Sequence, residues 1–170
     1  MKTLVIHPKD STTDFLSVIY SDKKDWTVVT TFTGKSKLVE QIKSHDRIIM
    51  LGHGTEYGLL GGMGFVINPS LVYLLKEKDC VCIWCNADVF VEKYNLKGFY
   101  TGMIISEFEE ALLYCVSCYY NQISESNILF ADSVKKSIIS DNMFREMIDT
   151  YRSDENPVIQ FNCANMYFNK

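Results

Sequence analysis

The chain has 170 residues, of which 47% are hydrophobic and 22% charged, and its formal net charge is −4. That is the size and balance of one globular domain with a full core, and the acidic balance excludes a basic groove for nucleic acid or a patch for an anionic membrane surface. The opening apolar run stops at His7-Pro8, too short for a signal-peptide core, and no run of about 18 apolar residues follows, so the expected partners include neither nucleic acid nor membrane and the expected location is the cytoplasm.

Thr3 to Ile6 is a short apolar run closed by His7-Pro8 and predicts a buried strand. Asp10, Ser11 and Thr12 offer caps for a helix over 12–20, with Phe15, Leu16 and Ile19 at helical spacing. Trp26 to Phe32 is rich in β-branched and aromatic residues and predicts a second strand, ended by Thr33 and Gly34. Lys35 to Ser44 places Leu38, Val39 and Ile42 on one helical face. Ile48 to Leu51 is the third strand. It runs into Gly52-His53-Gly54 and then a cluster at Gly58, Gly61, Gly62 and Gly64 that reads as a glycine-rich loop.

Asn68-Pro69-Ser70 starts a helix reaching about Lys78, and Cys80 to Trp84 is a fourth strand ending at Cys85-Asn86. Residues 87–97 read as helical, and 98–105 as a fifth strand. From Ser106, whose pairing with Glu109 suggests a capping box, the spacing of Phe108, Ala111, Leu112, Cys115, Cys118 and Tyr119 predicts one continuous helix with both cysteines in the core. Two more helices are expected over 126–139 and 142–152, and a last strand over 158–163. Strands alternating with helices imply an α/β three-layer sandwich with a mostly parallel, doubly wound sheet, in a single domain over 1–170. Six cysteines lying inside apolar periodic segments suit a reducing compartment.

His53 and Cys85 each lie just past a buried strand, and the two strands are separated by one helix, so both residues are expected at one sheet edge, where ligands collect. A thiol beside an imidazole can become a nucleophile, and the amides of Gly54 and Cys85 could stabilise an oxyanion. A strand ending in His-Gly, a helix, a strand ending in Cys, and a Gly-Phe-Tyr-Thr-Gly-Met segment running into a helix resemble the caspase-like cysteine peptidases, which include caspases, gingipains, clostripain and separase-type domains. The resemblance covers about residues 3–120. It implies a caspase-like fold, a peptide or protein substrate, His53 as general base and acid, Cys85 as nucleophile and the Gly54 amide in the oxyanion hole, with no cofactor and no metal. Trp84 before Cys85 and Asn86-Ala87-Asp88 after it depart from the Gln-Ala-Cys and Asp-Ser-Cys contexts common there, which suits a minimal or non-proteolytic member.

Asp88, Glu56 and Asn86 are the candidate substrate-binding residues. Asp88 with Glu92 would suit a basic side chain, ordinary surface acids being the commoner case. Cys82-x-x-Cys85 and Cys115-x-x-Cys118 resemble zinc half-sites, but Cys82 and Cys85 differ by an odd number along a strand. Gly34-Lys35-Ser36 resembles the end of a phosphate loop but lacks its first glycine, the residue at that place being Val29. Two other readings stand beside the peptidase: a non-catalytic binding or regulatory module whose glycine-rich 52–64 stretch holds a small ligand, nucleotide or partner peptide, and a cysteine hydrolase or transferase acting on a small acyl or nucleotide substrate.

Overall fold

A computed structural model describes residues 1–32 and 34–170. Thr33, expected to help end the second strand, lies outside the described residues. The strands are β1 (Thr3–Ile6), β2 (Thr27–Val29), β3 (Arg47–Leu51), β4 (Gly54–Thr55), β5 (Gly58–Gly61), β6 (Gly64–Ile67), β7 (Asp79–Ile83), β8 (Lys97–Thr101) and β9 (Met166–Asn169). The helices are α1 (Lys35–Ser44), α2 (Val72–Leu75), α3 (Ala87–Tyr94), α4 (Phe108–Leu113), α5 (Tyr120–Ser137), α6 (Met143–Thr150) and α7 (Pro157–Cys163), with 3-10 turns at Asp14–Tyr20 and Pro69–Leu71.

The main sheet has the order β2-β1-β3-β7-β8-β9. Its first five strands are parallel and β9 runs antiparallel to β8. Alternation along the strands feeds two cores. Leu4, Ile6, Ile48, Met50, Cys80 and Cys82 pack under α1, α2 and α3. Val5, Ile49, Leu51, Val81, Ile83 and Phe99 pack under the first 3-10 turn, α5, α6 and α7. The expected three-layer α/β sandwich with a mostly parallel, doubly wound sheet is therefore what the chain forms.

Several local expectations change. The glycine-rich stretch is an antiparallel three-stranded sheet, β4-β5-β6, anchored by the buried Leu59 and Ile67. At Gly58, with φ +135°, any Cβ would run into the Ile67 carbonyl, so this close strand approach needs glycine. The long helix from Ser106 breaks after Leu113, because Cys115 adopts φ +56°. Cys115 is therefore exposed rather than core. Its cap also differs: the Glu110 carboxylate reaches back to the backbone N–H of Ser106 and Glu107. Residues 158–163 are helical, since the Asn156 side chain accepts from the amides of Val158 and Ile159 and caps α7 ahead of Pro157. The last strand is Met166–Asn169, where Tyr167 stacks on Tyr100.

Candidate functional site

β3 and β7 are paired in parallel with Leu51 opposite Ile83, so Gly52-His53 and Trp84-Cys85 leave the sheet side by side. Both His53 and Cys85 border a hollow of about 30 Å³, room for about one water. They are not hydrogen-bonded to each other. The Cys85 Sγ faces the Ile104 carbonyl at 3.7 Å and Glu110 Oε1 at 4.0 Å. Burial, followed by the negative charge of Glu110, pushes this thiol up to about 11. An activated nucleophile needs the opposite shift.

The His53 ring is held elsewhere. Its Nε2 lies 2.6 Å from Thr12 Oγ1, and the Thr12 hydroxyl donates to Asp10 Oδ1 at 2.7 Å. The Thr12 amide reaches the same oxygen at 2.9 Å, and His53 Nε2 itself is 3.8 Å from it. The hydrogen bonds from the Thr12 hydroxyl and amide hold the Asp10 carboxyl below its ordinary range. Gly54 lies against the Trp84 indole, where any Cβ would overlap the ring, so its lack of a side chain is a packing requirement.

The expected substrate-binding residues sit on separate segments. Glu56 sits in the β4–β5 turn. Asn86, at φ +63°, donates its amide to the Gly102 carbonyl. Asp88 stands in the first turn of α3, its Oδ1 buried without a hydrogen-bond partner among the described residues. None of the three borders the small hollow beside His53 and Cys85. No group of three metal-ligating side chains occurs among the described residues, which include the paired Cys-x-x-Cys segments.

Two larger openings lie beside the β5–β6 turn. A cleft of about 410 Å³ is walled by Phe32, Leu38, Phe65 and Leu71 and carries Lys9 and Lys35. Beside it a hollow of about 320 Å³ is lined by Pro8, Lys9, Asp10, His53 and Leu60 to Gly62. The two share Pro8, Lys9, Gly61 and Gly62 and so adjoin. Residues that follow β1 meet one that follows β3 in the second hollow, which places it where the strand order reverses, the usual ligand position in open α/β sheets. The Lys35 ammonium donates to Ser70 Oγ at 2.9 Å, and Ser70 donates on to Asn68 Oδ1. Among the described residues neither Lys9 nor Lys35 pairs with a carboxylate. The sequence signals for this cleft were slight: Lys35 within Gly34-Lys35-Ser36, and Asp10 to Thr12 as candidate caps.

No family model matches this chain, and no curated protein matches it. Among solved structures it is similar to a flavodoxin from the domain Archaea, with a TM-score of 0.42 and 14% identity over 79% of this chain and 99% of that one. The expectation of a caspase-like cysteine peptidase is corrected. No comparison returns a peptidase, Cys85 is a half-buried thiol beside a carboxylate, and His53 is bonded to Thr12 instead. The reading of the chain as a hydrolase falls with it, whereas the α/β architecture stands. No helix is long and apolar enough to cross a membrane, among the described residues.

Proposed function

We propose that this chain is a binding domain for a small anionic ligand with an apolar portion, held in the cleft at the carboxyl ends of β1 and β2 beneath the β5–β6 turn. The observation that carries the reading is the pair of ammonium groups, Lys9 and Lys35, without carboxylate partners among the described residues, in a cleft whose other walls are Phe32, Leu38, Phe65 and Leu71. A cleft of about 410 Å³ falls in the ordinary range for small-molecule sites. Lys35, steadied by Ser70, supplies charge-assisted hydrogen bonds to a carboxylate or phosphate, and the aromatic and aliphatic walls take the apolar part. A Cβ at Gly62 or Gly64 would meet nothing within 4 Å, so the turn above the cleft leaves its backbone open to a ligand. The flavodoxin likeness brings no ligand to this chain.

The test is a titration of ¹⁵N-labelled protein with phenyl phosphate, using phenol as the uncharged control. The expected result is saturable shifts at Lys9, Lys35 and Gly61 to Gly64 that phenol does not reproduce, weakened about tenfold by Lys35→Met, the worth of one charge-assisted hydrogen bond. Shifts no larger than those with phenol, or unaffected by the substitution, would overturn the reading.

A further inference from the structure

The hydrogen bonds around His53 fix where its proton sits. Asp10, ionised, can only accept, and the Thr12 hydroxyl has one hydrogen, which goes to Asp10 Oδ1 at 2.7 Å. Thr12 Oγ1 is therefore an acceptor toward His53, and the proton at the 2.6 Å contact belongs to His53 Nε2. In the neutral ring Nδ1 then carries a lone pair, and it has no hydrogen-bond partner among the described residues. His53 borders the 320 Å³ hollow that adjoins the lysine cleft.

We propose that Asp10 and Thr12 are positioning residues that hold His53 in the Nε2–H tautomer, so that Nδ1 accepts a hydrogen bond from a hydroxyl on the anionic ligand. This rests on the cleft reading above and narrows its ligand class to hydroxyl-bearing anions. Lys9 and Lys35 bind the anion, and His53 reads the donor beside it. A ligand without that donor leaves Nδ1 unpaired inside the complex, which costs affinity. The groups in contact with the ring are Asp10 and Thr12 after β1, with Lys9 on the wall of this hollow and Cys85 on the wall of the small one that His53 also borders.

Two measurements test this. Long-range ¹H–¹⁵N spectra of the neutral His53 ring are expected to show Nε2 protonated and Nδ1 bare in the wild type, a tautomer mixture in Thr12→Val and Asp10→Asn, and recovery in Thr12→Ser. A wild-type ring protonated on Nδ1, or one indifferent to Thr12→Val, would overturn the positioning role. Phenyl phosphate and 3-hydroxyphenyl phosphate are then compared. The hydroxylated probe is expected to bind the wild type about fivefold more tightly, an advantage lost in Thr12→Val and kept in Thr12→Ser. Equal affinities would overturn the hydroxyl reading while leaving anion binding intact. Failure of both probes to bind would overturn the cleft reading and the hydroxyl reading with it, the spectra still deciding the tautomer.

Discussion

Gly54 lies so close to the face of Trp84 that any Cβ would overlap the indole, and the indole Nε1 donates to the Thr55 carbonyl at 3.1 Å. The tryptophan at the end of β7 thus fastens β4, and through it the whole glycine-rich sheet, to the main sheet. Gly54→Ala is expected to cost about 1–3 kcal/mol, as overpacking in a filled core does, and Trp84→Phe about 1 kcal/mol for the lost hydrogen bond together with some packing. Urea denaturation would measure both. A neutral Gly54→Ala would mean that the small sheet shifts freely over Trp84.

The environment of Cys85 predicts sluggish chemistry. Near neutral pH, alkylation followed by mass spectrometry is expected to label the exposed Cys115 first and Cys85 slowly, because burial and the Glu110 carboxylate disfavour its thiolate. His53→Ala should leave the Cys85 rate unchanged, since the imidazole is bonded to Thr12. Rapid labelling of Cys85 that depends on His53 would contradict this account of both residues.

The parts of the fold that can be read from the sequence are those where a local signal and the tertiary environment agree. β1, β3 and β7 are short apolar runs with clear stops, and both of their faces are buried. α1 matches its periodicity at both ends. The β4-β5-β6 sheet could not be read, because its strands are two to four residues long and nearly half glycine, with only Leu59 and Ile67 as buried anchors. Asn156-Pro157 carries the same helix-start signal as Asn68-Pro69, yet the apolar content of 158–163 outweighs it in a reading by composition. Apolar spacing likewise extends α4 too far, although Leu112 and Leu113 are exposed. At the site, the sequence places His53 and Cys85 at neighbouring strand ends. Their true partners, Thr12 and Glu110, lie 41 and 25 residues away and carry no local signature.

His7 gives the fold a pH dependence of known sign. It is buried, with Nδ1 2.9 Å from the Tyr20 hydroxyl and Nε2 3.3 Å from Thr13 Oγ1. Burial lowers its pKa from the ordinary 6.5, with Asp14 and Asp10 opposing in part. The unfolded chain therefore takes up the proton first as pH falls. Stability drops from pH 6.5 down to the lower native value, with a slope of at most about 1.4 kcal/mol for each pH unit crossed. Urea midpoints across this window should fall in the wild type and fall less in His7→Gln. Asp10, Asp22 and Asp46, held below their ordinary 3.8, lose their contributions at lower pH and do not confuse the comparison. Parallel curves for the two proteins would place the His7 proton outside the folding equilibrium.

Asn162 ties down the segment after β8 that faces Cys85. Its Oδ1 accepts from the Ile105 amide at 2.7 Å, and its Nδ2 donates to the Ile105 carbonyl at 3.0 Å and to the Tyr151 hydroxyl at 3.0 Å. Tyr151 is in turn 2.6 Å from Ser126 Oγ, so α5, α7 and the segment after β8 meet in one buried polar network. Asn162→Ala strands both backbone groups of Ile105 and is expected to cost about 2–4 kcal/mol, more than Tyr151→Phe, which removes a single hydroxyl. The two losses should not add, because each variant removes a partner of the other. Ile104, next along the chain, supplies the carbonyl that faces the Cys85 thiol. Loosening Ile105 should therefore expose Cys85 to local opening, and its alkylation rate should rise in Asn162→Ala by a larger factor than that of Cys80, which lies under the opposite helical layer. A uniform rise across both cysteines would instead report global unfolding.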